Sequence, residues 1–147
     1  MTVGHLSDAR IAIETRLYDN WQSPPGTLRT PIRYWTSGAP FEIPDATPWI
    51  ALSVQRESGR QASFGVAPQL HRYEGLIIVQ VFVPERTGSQ DMDTYLDLLD
   101  PIWRCAQFSY GDSGLITCRT PEAEPVGTAD GWFQKNLKVA YRRDRQH

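Results

Sequence analysis

The chain has few of the residues that build disulfide frameworks, metal centres or membrane spans. Its two cysteines, Cys105 and Cys118, are too few and too isolated for a disulfide framework or a zinc site. Both read as reduced, small core residues, the usual role of a free cysteine. The longest apolar stretch, residues 76–83, is interrupted by Gln80 and falls far short of the roughly 20 residues that cross a bilayer. Residues 1–8 lack the basic and apolar regions of a signal peptide, which points to cytoplasmic synthesis without export. There is no HExxH, EF-hand loop, Cys/His quartet, Walker loop or GxGxxG, so no catalytic, metal or cofactor-binding residue is assigned and no cofactor is expected. Positive charge is also scarce: fifteen basic residues against seventeen acidic leave −2, the wrong sign for a general nucleic-acid binder. Only Lys135 and Lys138 of the basic set are lysines; the rest are arginines.

What is present is a soluble globular composition, 40% hydrophobic and 22% charged, with eleven Gly and eleven Pro that imply prominent loops. At 147 residues it fits one domain spanning 1–147. A first helix should open at Ser7 as N-cap, with Asp8 favourable to the helix dipole and Leu6 stapling onto Ile11. Ile13, Leu17 and Trp21 then make a stripe until Ser23-Pro24-Pro25-Gly26 ends the helix. Prolines between Thr30 and Pro48 leave room for no more than a short edge strand at Ile32 and Tyr34. Period-two alternation then predicts a strand from Trp49 (Ile50, Leu52, Val54) and a central one over 71–83 (Ile77, Val79, Val81, Val83). Residues 56–68 between them are Gly/Ser-containing and polar, and read as a long exposed hairpin arm.

Ser89 can cap a second helix whose apolar face is Met92, Tyr95, Leu96 and Leu99, with Pro101 kinking or restarting it. A strand over 115–120, a polar loop over 121–130, a closing strand around 132–142 and a basic tail over 142–147 complete the chain. Strands and helices in blocks indicate an α+β fold: a mostly antiparallel mixed sheet, two helices packed on one face, and the arm.

Two features invite a catalytic reading. Gly111-Asp112-Ser113-Gly114 matches the nucleophile tetrapeptide of chymotrypsin-like proteases, but the chain is too short for their two barrels and Leu115 replaces the usual continuation; Asp, Ser and Gly also suit a tight turn. Asp91, Asp93, Asp97 and Asp100 could supply paired carboxylates, but nothing around them suggests a tuning pocket, and a solvated helix face explains them. Charge segregation is the stronger signal. Residues 89–100 carry −4, and residues 135–147 carry +4 with histidine neutral. Such patches either meet head to tail between subunits or neutralise each other within one. Arginine in place of lysine favours interfaces. The candidate interface set is therefore Asp91, Asp93, Asp97 and Asp100 with Lys138, Arg142, Arg143 and Arg145. With no aromatic platform beside the basic segment, no sequence-specific nucleic acid is expected.

In order and spacing, the segments resemble the tail terminator (tail completion) proteins of long-tailed bacteriophages, the minor tail protein U-like group. The likeness runs through the amphipathic first helix, Tyr34-Trp35, Phe41-Glu42-Ile43-Pro44, Trp49-Ile50, the arm ending in Phe64-Gly65, Arg72-Tyr73-Glu74-Gly75, residues 84–88 and Gly131-Trp132-Phe133. Thr36 departs from it, since Asn is expected after the aromatic pair. The resemblance implies a non-enzymatic homo-oligomeric ring, typically a hexamer, at the head-proximal end of the tail in the virion and in the host cytoplasm during assembly. Such a ring binds the last tail-tube subunits, halts their polymerisation and presents a surface to the head-completion or connector protein. Within that reading the arm, through Arg56, Ser58, Gly59, Arg60, Gln61 and Phe64, contacts the tube or lines the lumen. A head-tail connector or neck ring is the alternative, with a small hydrolase using the Gly111–Gly114 turn more distant.

Overall fold

The computed structural model describes residues 5–38, 40–61, 70–87 and 89–146. Helix α1 (His5–Asn20) is followed by strands β1 (Ile32–Tyr34), β2 (Trp49–Gln61) and β3 (Leu70–Pro84). After a short 3-10 turn come α2 (Ser89–Trp103), β4 (Gln107–Phe108), β5 (Leu115–Cys118), β6 (Glu122–Ala129) and β7 (Trp132–Gln146). The fold is α+β. One open sheet runs in the order β1-β2-β3-β7-β5-β4, and β6 pairs with the other half of the β7 edge that β5 occupies. Every pairing is antiparallel except β1 with β2.

Both helices pack on one face of the sheet, because that is where period-two alternation on the strands meets period-3.6 stripes on the helices. Ile13, Leu17 and Trp21 from α1, and Met92, Leu96 and Leu99 from α2, share a core with Ile50, Leu52, Ile77, Val79, Val81, Val83, Leu137 and Val139. The Trp21 indole N–H donates to Thr30 Oγ1 at 2.9 Å, which fixes the chain as it leaves α1. On the opposite face Trp49 stacks on Phe82, centroids 4.0 Å apart, and meets Trp132 edge-on, closing one end of the sheet. The remainder of that face carries no helix, and Leu76 and Ile78 are only partly covered there. The β3 strand is therefore central by pairing but not buried on both sides.

Several expectations need correction. Helix α1 is already formed at His5, so Ser7 lies inside it, and Leu6 is exposed instead of stapled to Ile11. Asp8 is buried and accepts the Asp112 backbone N–H at 2.8 Å, so it fixes a distant turn. Helix α2 passes through Pro101 without restarting and ends at Trp103. Cys118 is buried, its thiol pushed up to about 12 by desolvation, but Cys105 is exposed. Residues 122–129, expected as loop, form β6, joined to β7 by Asp130-Gly131 with both φ positive (54° and 83°), the geometry of a two-residue hairpin. Residues 142–146 are not a tail: β7 continues through them, paired with β3 on one side and β5 on the other.

Candidate functional site

The β2–β3 hairpin is rooted in the sheet by a buried polar cluster. Strand β7 alternates Leu137, Val139, Tyr141 and Arg143 toward the helix face, so Arg143 arrives in a core register and is fully buried. A buried guanidinium must be paired. Its partner is Glu57 of β2: Arg143 Nη2 donates to Oε1 at 2.7 Å and Nε to Oε2 at 2.8 Å, while Nη1 donates to the Ser113 carbonyl at 2.9 Å. Glu57 also accepts the Tyr141 hydroxyl at 2.7 Å. Burial, then the hydrogen bond to Glu57 and its charge, push the Tyr141 phenol far above its ordinary value, so it stays a donor. The Tyr73 ring lies 4.4 Å from the Arg143 guanidinium, a cation–π contact in a dry setting.

Backbone irregularity makes this cluster possible. The β2–β3 register slips between Gln55 and Ser58, and the extra residue turns Glu57 onto the helix face. Simple alternation would have left it beside Gln55 on the opposite face. Two glycines let the rings close over the strands. A Cβ on Gly75 would lie 2.7 Å from the Tyr141 hydroxyl oxygen, and one on Gly59 would lie 2.7 Å from the Tyr73 ring. Beside the cluster a cleft of about 430 Å³ runs along α1, lined by Leu6, Arg10, Val54, Glu57 and Tyr141. Nearby, desolvation raises the Glu14 carboxyl above its ordinary value against the opposing influence of Arg10 and Ser37.

The expected arm residues divide at this root. Ser58 and Gly59 are exposed on β2, which continues through Arg56, Arg60 and Gln61, whereas Phe64 lies outside the described residues. The expected interface set is also divided. Asp93 pairs with Lys135 at 3.4 Å, Asp100 with Arg104 at 2.6 Å, and Lys138 with Glu124, all within the chain. Arg143 cannot be an interface residue of the folded subunit, because it is buried and paired with Glu57. Asp144, beside it, pairs with Arg72 at 2.8 Å, and Arg145 is partly covered on β7. Asp91, Asp97 and Arg142 remain exposed without an ion pair among the described residues. Sequence reasoning missed Glu57 as the anchor, although the alternation on β7 already placed Arg143 inside and so demanded a carboxylate.

Ser113 is fully buried; its hydroxyl donates to the Gly114 carbonyl at 2.7 Å and accepts the Tyr110 N–H at 3.0 Å. It is a turn residue committed to its own loop. Among the described residues no group of three or more His, Cys, Asp or Glu is arranged to hold a metal, and no helix is long and apolar enough to cross a membrane.

No family model and no curated protein matches the chain. Among solved structures it is similar to a protein that carries a sequence identifier in place of a descriptive name, with a TM-score of 0.70 at 19% identity over 94% of both chains. That likeness shows a shared fold.

Proposed function

We propose that this protein is a structural subunit that caps the end of a phage tail tube as a homo-oligomeric ring, stopping tube growth and offering a surface for head attachment. The reading rests on the resemblance in order and spacing of its segments. The observation that carries it furthest is the arm root. A hairpin whose base is held by a bidentate buried ion pair, two tyrosines and two close-packed glycines is a rigid mount for a projecting contact element. A core of this size gains nothing from burying a charge there, since apolar residues of similar volume serve stability as well. Holding the arm in one direction supplies the reason. The hydrolase alternative loses its nucleophile, because the Ser113 hydroxyl is buried and bonded within its turn. The connector alternative shares the ring and differs in which end of the tube-to-head joint the arm meets.

The arm is the part to test. Replacing residues 62–70 by Asn-Gly joins the register pair Gln61 and His71 through a two-residue hairpin turn and leaves the Glu57–Arg143 root in place. The expected result is a folded subunit that no longer stops tube growth, seen by electron microscopy as tubes of irregular, excessive length. Tails of normal length with the shortened arm count against a tube-contacting role.

A further inference from the structure

We infer that the hollow beside Trp132 takes a basic residue of an extended peptide, with its ammonium or guanidinium group against the rings and Asp130 and its main-chain carbonyl on the Trp49 indole N–H. Nothing in this site depends on the capping role. Period-two alternation builds its floor. Trp49, Phe82 and Gln134 are direct cross-strand neighbours on β2, β3 and β7, and Trp132 lies two residues before Gln134, so all four share the helix-free face. Asp130 in the β6–β7 turn and Ile43, 51% exposed, complete a hollow of about 300 Å³.

Ring surface, charge and one unpaired donor narrow what fits there. Trp49 lies flat on Phe82, centroids 4.0 Å apart, and Trp132 stands at 87° to Trp49, so the rings meet at a corner. Trp49 itself is buried, but Trp132 and Phe82 are partly exposed, and the face of an aromatic ring attracts a cation. The same face of the sheet already holds one in this way: the Arg33 guanidinium sits 3.6 Å from the Trp35 ring centroid. Among the described residues Asp130 is the one ionisable side chain lining the hollow. An adjoining hollow shares Asp130 and Trp132 and adds Asp45 and Glu85 against Arg86, and none of these four charged groups has an ion pair among the described residues. Three carboxylates beside one guanidinium suit a positive occupant. The donor makes the occupant more specific. Trp49 is 3% exposed, and its indole N–H has no acceptor among the described residues, whereas buried donors are nearly always paired. Edge-on contact with Trp132 offers it no more than a π face, a weak acceptor. A simple amine would leave this N–H unpaired, and a neutral apolar residue would leave Asp130 unused. A basic residue within a peptide brings a carbonyl oxygen and a cation together.

Capped single residues test this directly. The probes are the N-acetyl methylamides of arginine, lysine and norleucine, the last an uncharged isostere of lysine, with ethylguanidinium as a cation that lacks a carbonyl. In nitrogen–proton NMR spectra at low salt, the arginine and lysine amides should shift the Trp49 and Trp132 indole signals saturably, with Trp49 moving downfield as its N–H gains an acceptor. Trp21, whose N–H is held by Thr30, and Trp103, unpartnered in the helix-side core, should stay still. Norleucine amide should bind about fivefold or more weakly, and ethylguanidinium should bind without the downfield shift of Trp49. Asp130→Asn removes the charge and keeps the turn, since Asn-Gly serves a two-residue hairpin as well as Asp-Gly. It should weaken the basic amides about threefold and leave norleucine amide unchanged. Norleucine amide that binds as tightly as the basic amides, an Asp130→Asn variant with unaltered affinity, or basic amides that leave the Trp49 and Trp132 signals unmoved overturns the site.

Discussion

Arg143 shows how one side chain ties β7 to β2 and to the Ser113 turn. It occupies a core register on β7, and Glu57 reaches it only because β2 gains a residue between Gln55 and Ser58. Arg143→Met would leave the Glu57 carboxylate, 12% exposed, without its cation and the Ser113 carbonyl without its donor. The expected loss is about 3–5 kcal/mol, read as a lower urea midpoint with little change in slope. Replacing both partners, Glu57→Leu with Arg143→Met, should cost much less than the sum of the single changes, since no buried charge is then stranded. Additive losses would show that the two side chains do not act as a pair. The sequence contained half of this. Alternation through Leu137, Val139 and Tyr141 already places Arg143 inside, but a bulge has no signature in Gln55-Arg56-Glu57-Ser58, so the partner stayed hidden.

At the scale of elements, legibility followed the strength of the apolar period. Helices α1 and α2 and strand β3 carry unbroken stripes, and their existence and helix-side buried faces agree with the sequence reading, whereas the second apolar face of β3 (Leu76, Ile78, Phe82), which the sequence also places inside, is only partly covered. Strand β6 has no such stripe: Glu122-Ala123-Glu124-Pro125-Val126-Gly127 is exposed throughout and is held as a strand by its pairing with β7. The signal that could have found it was Asp130-Gly131, a two-residue hairpin turn before an apolar strand. The end of β7 misled in the opposite way, because Arg142, Arg143, Asp144 and Arg145 look like a solvated tail until the pairing of Arg143 with Glu57 and of Asp144 with Arg72 is known. The β5–β7 junction makes an element-level prediction. Gly114 has φ +75°, and a Cβ there would overlap the Asp144 carbonyl oxygen of β7. Gly114→Ala should cost about 1–3 kcal/mol in chemical denaturation. Gly26, φ +93° with open space around it, is the matched control and should lose less. Equal losses at the two sites would mean that the close approach of β5 to β7 carries no energy.

For the whole molecule, the near-neutral net charge of −2 conceals an uneven distribution along the chain, −4 over residues 89–100 and +4 over residues 135–147. Acidic α2 lies on the helix side of the sheet, exposed Glu74 and Arg142 face each other across β3 and β7 on the other side, and the β2–β3 hairpin leaves the end of the sheet farthest from the Trp49–Phe82–Trp132 cluster. The fold class was legible because blocks of strands and helices leave few arrangements. Charge was legible only in outline: counting located acidic and basic segments, but which charges are consumed internally depends on contacts such as Asp93–Lys135 and Lys138–Glu124 that join distant parts of the chain. The most direct measurement is electron microscopy of tails assembled with and without this protein, scored for tube length. The account predicts tubes of uniform length when it is present and overlong, irregular tubes when it is absent. Tubes of normal, uniform length in its absence would contradict it, and such tubes lacking heads would point to a connector instead.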